Sequence, residues 1–204
     1  MERSYEGFTP AVTAIMAERG RFPGVLGPLA DFVRATTADA ATAQALSWMP
    51  GYARVVCDGH VDGQPVDVNA LARMNDQQRP RGPDGQGLQV SDRFGFGHRR
   101  LKIMDLSEAA QQPMFDPALG AGIVFNGAVY NHGDLRKELE GKGYRFHSTG
   151  DTEVLLKAWH AWGPSFVKRL NGMFAFAIWE RDSGRVLLGR DRLGIKPLYL
   201  APLK

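Results

Sequence analysis

The chain has 204 residues with 44% hydrophobic and 23% charged side chains, enough for one ordinary globular domain with an appendage. A formal charge of +3, with basic residues spread along the chain, argues against a dedicated nucleic-acid surface, and a single cysteine excludes an internal disulfide or a multi-cysteine zinc site. No apolar run approaches the roughly 18 residues of a membrane span and MERSYEGF lacks a signal-peptide profile, so a cytoplasmic protein with no membrane partner is expected.

Residues 1–48 are rich in Ala and Thr and carry no motif; short helices are expected there, broken at Gly24, Gly27 and Pro28. GYARVV then reads as a short strand and residues 57–63 as a turn or loop. VDVNALARMNDQQR places Val66, Leu71 and Met74 on one helical face, RPRGPDGQG reads as a loop, and RFGFGHRRLKIMDL as extended. A loop through Gln112-Pro113-Met114 leads to a strand, GIVFN. A helix is expected from about Gly133, with Leu135 and Leu139 four apart and Gly141 or Gly143 as its stop. DTEVLLKAWHAW and FVKRL read as two further helices, and MFAFAIWERDSGRVLLGRD as a hairpin around Asp182-Ser183-Gly184. KPLYLA begins another strand. Hairpins with helices between them point to an α+β fold rather than a doubly wound parallel sheet.

Four short stretches set polar or charged side chains beside glycine: Arg81-Gly82-Pro83-Asp84-Gly85, Gly97-His98-Arg99-Arg100-Leu101, Asn126-Gly127 and Gly150-Asp151-Thr152-Glu153. Singly, each has a plain structural reading. RGPDG is a proline-containing turn, adjacent arginines form a solvated patch, and acids before an apolar helix complement its dipole. Asn-Gly between apolar runs is usually a hairpin turn, but AVY is too short for a partner strand. His98 and His132 have no partners at metal-ligand spacing, and no metal site is expected.

In order, RGPDG, GHRRLKIMDLS, QPM, FNGAVYNH, DTEVLL, NGMFAFAIW and GRDRLGIKPLY resemble the glutamine-hydrolysing domain of the asparagine synthetase family, over roughly residues 61–201. Pro80 before RGPDG and the GHRRLKI-DLSEA stretch look like the N-acetylglutaminylglutamine amide synthetase branch. The resemblance implies a type-II glutamine amidotransferase domain over residues 49–204 after an extension over 1–48. The implied fold is an N-terminal-nucleophile αββα sandwich, two antiparallel sheets between helical layers. It further implies glutamine as ligand, Asn126 and the N–H of Gly127 as oxyanion donors, Arg100 on the α-carboxylate and Asp151 on the α-ammonium. Glycine at 127 would let the ligand approach the backbone closely. Ala128 stands where the family usually has an acid.

The family nucleophile is an N-terminal cysteine whose own amine handles the proton. Ungapped alignment on Asp62-Gly63 puts Ala53 at that position, and alignment on residues 49–51 puts Pro50 there; neither can attack a carbonyl. Cys57 could serve only if a leader were cleaved before it. The resemblance also implies a synthetase domain or subunit using ATP and Mg, whose phosphate loop this chain lacks, while the glutaminase part needs no cofactor. Three readings follow: a glutaminase domain of such an enzyme, inactive as written; a non-catalytic glutamine-binding or scaffold domain; and a truncated gene with a misassigned start.

Overall fold

The computed structural model describes residues 66–91 and 94–198, together with the backbone of two short strands, β1 (Ile15–Ala17) and β2 (Val55–Asp58). Six more strands follow: β3 (Gly85–Ser91), β4 (Phe94–Arg100), β5 (Met114–Asp116), β6 (Ala121–Val129), β7 (Gly172–Glu180) and β8 (Val186–Arg190). They form a five-stranded sheet in the order β1-β8-β7-β6-β5 and a three-stranded sheet in the order β2-β4-β3. Every strand pairing within the two sheets is antiparallel, so the α+β class with two antiparallel sheets is observed.

Three α-helices pack on these sheets: α1 (Val68–Gln77), α2 (His132–Gly141) and α3 (Asp151–Trp162). The strand β6 shows how the layers arise. Its side chains alternate between faces, as the pleat requires. Ile123, Phe125 and Val129 join Leu135 and Leu139 of α2 and Val154, Leu155 and Ala158 of α3 in one core. Val124 turns the other way, toward Phe94 and Phe96 of β4, with Ala177 and Leu188 completing a second core between the sheets. Both faces of β6 are buried, which is why AGIVF is a continuous apolar run instead of an alternating one. Phe94 stacks on Trp179 at 4.2 Å between ring centres and meets Phe96 edge-on at 5.0 Å, and each such pair adds about 0.5–1.5 kcal/mol beyond its buried area.

Several elements differ from the sequence reading, each for a physical reason. The Asn-Gly pair makes no turn and does not end its strand: β6 runs on to Val129, with Asn126 opposite Ala175 and Gly127 opposite Phe174. A full-length partner in β7 outweighs the local turn preference. On α1, Met74 is 38% exposed, and the inward position four residues after Leu71 is Asn75, 1% exposed. Helix α1 begins at Val68, where Asp67 accepts the N–H groups of Asn69 and Ala70. The extended reading of RFGFGHRRLKIMDL holds only as far as Arg100. Strand β3, read partly as loop, shows alternating partial burial at a sheet edge and carries glycines at 85 and 87 that disguise it. Cys57-Asp58, read as turn, belong to β2. FVKRL lies in a 3-10 segment, Gly163–Arg169, instead of an α-helix. Within 1–48 the described element is a strand, β1, and the expected helices fall outside the described residues; of the expected final strand, residues 196–198 are not in a strand and residues 199–201 fall outside the described residues.

Candidate functional site

The ends of β4 and β6 and the start of α3 converge on one open cleft. It measures about 510 Å³ counted out to its mouth and is lined by Arg100, Asn126, Gly127 and Asp151. His98, Asp105, Gln112 and Thr152 also face it, with Leu101, Ile103 and Met104 along the rim.

Arg100 is the last residue of β4. The RGPDG stretch serves it as a buttress. A Cβ on Gly82 would lie 2.3 Å from the backbone carbon of Arg99, so only glycine lets this turn rest against the strand end. Asp84 donates its N–H to the Arg100 carbonyl at 2.9 Å and accepts the Lys102 N–H at 3.0 Å. The Arg100 guanidinium is buried and donates to the carbonyls of Ser107, at 2.8 Å, and of Asp105. Two loop carbonyls thus fix the plane of the fork. Each terminal nitrogen keeps a second N–H for an anion in the cleft.

Along the free edge of β6, side chains hold two alternate N–H groups. Gln112 Oε1 accepts from Phe125 at 2.6 Å, and Asp151 Oδ2 accepts from Val129 at 2.9 Å. The same alternation turns the intervening Gly127 N–H to that edge, between the two filled positions. Asn126, 7% exposed as a whole residue, lines the cleft, and among the described residues its side-chain amide makes no hydrogen bond. Its amide faces the cleft, where it can both donate and accept hydrogen bonds. Glycine at 127 has a reason within the fold as well. A Cβ there would lie 2.1 Å from the Met173 carbonyl oxygen, so the neighbouring strand already demands glycine, whatever a ligand requires.

Asp151 opens α3 directly after the N-cap, Gly150. Burial pushes its carboxyl above the usual carboxylate range, partly opposed by the Val129 N–H, by nearby His132 and by the helix-terminal N–H groups. Among the described residues no cationic side chain is bonded to Asp151. Gln112 ties the site together from behind, donating through Nε2 to Thr152 Oγ1 at 3.2 Å while it holds Phe125. The sequence reading missed both Gln112 and Asp105 as site residues. The QPM and KIMDLS segments around them were visible, but residue type alone does not say which loop polar group turns inward.

Cys57 lies in β2. The backbone register pairs it with Phe96, which belongs to the core between the sheets. On β4 the cleft lining begins at His98, whose partner is Val55. Cys57 is therefore two positions further from the cleft along β2, or about 6–7 Å.

One cleft thus presents an uncommitted amide, an oriented guanidinium and a lone carboxylate, which suits a small zwitterion bearing an amide. Over residues 55–204 the chain matches the glutamine amidotransferase domain family, and it belongs to that family. It is similar to asparagine synthetase [glutamine-hydrolyzing] 3 of Bacillus subtilis (strain 168), 43% identical over 135 residues, covering 65% of this chain and 22% of the relative. It is also similar to asparagine synthetase B [glutamine-hydrolyzing] of Escherichia coli (strain K12), 42% identical over 122 residues, covering 60% of this chain and 22% of the relative. The chain spans about a fifth of the length of these relatives. A solved glutamine phosphoribosylpyrophosphate amidotransferase from B. subtilis, complexed with ADP and GMP, overlaps 49% of this chain and 28% of its own. That overlap, at 18% identity and a TM-score of 0.38, is too slight to add to the assignment. Among the described residues no helix is long and apolar enough to cross a membrane, and no cluster of ligating side chains could hold a metal ion.

Proposed function

We propose that this domain binds L-glutamine as part of an asparagine synthase-type amidotransferase, whose overall reaction moves the glutamine side-chain nitrogen onto an ATP-activated carboxylate. The reading rests on Asn126, Arg100 and Asp151 lining one cleft. Asn126 and the Gly127 N–H meet the side-chain amide oxygen, where negative charge would develop during hydrolysis. Arg100 takes the α-carboxylate through its remaining donors, and Asp151 takes the α-ammonium. Activation of the acceptor, with ATP and Mg, belongs to a separate synthetase domain or subunit. The N-terminal-nucleophile sandwich is the fold name that best suits two stacked antiparallel sheets flanked by helices, and the N-acetylglutaminylglutamine amide synthetases are the branch favoured by the Pro80-RGPDG and GHRRLKI stretches.

Binding and hydrolysis separate in this reading. Cys57 is the chain's one thiol, and its backbone register opposite Phe96, two positions along β2 from the partner of His98, supports a structural role. We therefore assign Cys57 to the sheet and not to nucleophilic attack. Two experiments test the proposal on the full 204-residue chain. Calorimetry with L-glutamine should show binding that Arg100→Ala removes; equal binding by both proteins would rule out the pocket. Glutamate release should be the same for wild type and Cys57→Ala. Release that the substitution abolishes would restore the cysteine as nucleophile.

A further inference from the structure

Resting on that reading, we propose that Asp105 is a positioning residue that sets the spacing between the carboxylate-binding arginine and the ammonium-binding aspartate. Arg100 and Asp151 are far apart in sequence and lie on different elements: one ends β4, the other begins α3. A ligand that touches both through groups on a single carbon tolerates little error in their separation. Something must hold the loop after Arg100 against the loop before Asp151.

Asp105 meets that need with every acceptor it has. Its backbone carbonyl takes an N–H of the Arg100 guanidinium. Carboxylate Oδ1 accepts the Ser107 N–H at 2.8 Å and the Ser107 hydroxyl at 2.6 Å, which closes its own loop into a tight turn. Oδ2 reaches across to the other loop, accepting the Thr149 N–H at 2.7 Å and the Thr149 hydroxyl at 2.8 Å. Thr149 is two residues from Asp151. Between them, a Cβ added at Gly150 would reach van der Waals contact with the Asp105 Cβ, at 3.4 Å, so the two loops run close together. From the far side, Arg136 holds the Gly150 carbonyl at 3.2 Å.

The Asp105–Ser107 half of this pattern is a common local turn and would be unremarkable alone. The Thr149 half is not local, since it joins segments 44 residues apart. Asp105 is itself buried. Burial opposes its charge, but the Ser107 and Thr149 bonds outweigh that and hold its carboxyl well below the usual range, so the clamp stays ionised through ordinary pH.

Positioning differs from general stability in what it predicts for half-ligands. Glutaramate keeps the amide and carboxylate of glutamine but lacks the ammonium; 4-aminobutanamide keeps the amide and ammonium but lacks the carboxylate. Neither needs Arg100 and Asp151 at a fixed separation. The test is titration of the full chain by amide NMR with L-glutamine and both half-ligands, for wild type, Asp105→Asn and the milder Thr149→Val. Asp105→Asn should weaken L-glutamine by about tenfold or more, while each half-ligand changes by less than about threefold. Thr149→Val, which removes one of the cross-loop bonds and keeps the backbone one, should show a smaller effect of the same selective kind, and it serves if Asp105→Asn fails to fold. Equal losses for glutamine and half-ligands, or no loss for glutamine, would overturn the positioning role and leave the binding reading standing. If the wild type binds neither glutamine nor a half-ligand, the binding reading falls and this inference with it.

Discussion

The first turn of α3 has a cleft side and a loop side, and each carries a buried acid. On the loop side, Glu153 is surrounded by donors: the N–H groups of His147 and Ser148, the Ser148 hydroxyl and, at 2.5 Å, the ammonium of Lys157. Burial pushes its carboxyl up, but the Lys157 and Ser148 bonds win and hold it below its ordinary range. On the cleft side, Asp151 has backbone donors and no bonded cation, and there burial wins. The two acids are two residues apart with the same charge, yet among the described residues one is bonded to a cation and the other to backbone N–H groups alone. A buried acid with its own lysine reads as architecture; one without reads as a place for somebody else's cation.

The largest effect should come from the satisfied acid. Glu153→Ala leaves the Lys157 ammonium buried with only the more distant Asp116 carboxylate at 3.4 Å, and should cost about 3–5 kcal/mol in a urea denaturation series. Asp151→Asn should do the opposite. It removes a charge that burial disfavours, so stability should hold or rise, while L-glutamine affinity falls by about 1.5–3 kcal/mol in calorimetry, the range for a hydrogen bond to a charged group. A variant that lost stability as Glu153→Ala does would erase the distinction between the two sides. Gly127→Ala should cost about 1–3 kcal/mol by thermal unfolding, because its methyl group meets the Met173 carbonyl whether or not ligand is present.

The smallest effect, and the one that sharpens the contrast most, is pH dependence. Asp151 has a raised folded-state pKa, so its penalty is present above that value and disappears as pH falls through it. Mild acidification should therefore stabilise the free protein slightly while weakening glutamine binding. Asp105, Glu153 and Asp191 have depressed folded-state values. Their stabilisation is present above the unfolded carboxylate values near about 4 and is lost as pH falls through the lower folded ones. Binding should thus fail at a higher pH than folding, which paired titrations of affinity and unfolding free energy would check.

Much of the candidate site could be read from the sequence because its members sit at conspicuous points: Arg100 at the end of an extended run, Asn126-Gly127 inside an apolar run, Asp151 at the start of a helix. The hidden part is the support. Gln112 and Asp105 lie in loops, where no periodicity tells which way a side chain faces, and their partners are 13 and 44 residues away. The fold shows the same divide. Leu135 and Leu139 marked α2 correctly, since a packed helix face repeats every three to four residues. The edge strand β3, with one half-exposed face and two glycines, leaves no such trace. Nor could Gly127 reveal from sequence that β7 by itself excludes a side chain there.

The most direct measurement is an amide NMR titration of the labelled chain with L-glutamine, read at the Gly127 N–H and the Asn126 side-chain amide. The account predicts that both signals move together and saturably, and that D-glutamine, which cannot present ammonium and carboxylate to Asp151 and Arg100 in the same arrangement, moves them far less. Saturable binding that leaves these two signals unmoved, or that treats the two enantiomers alike, would contradict it.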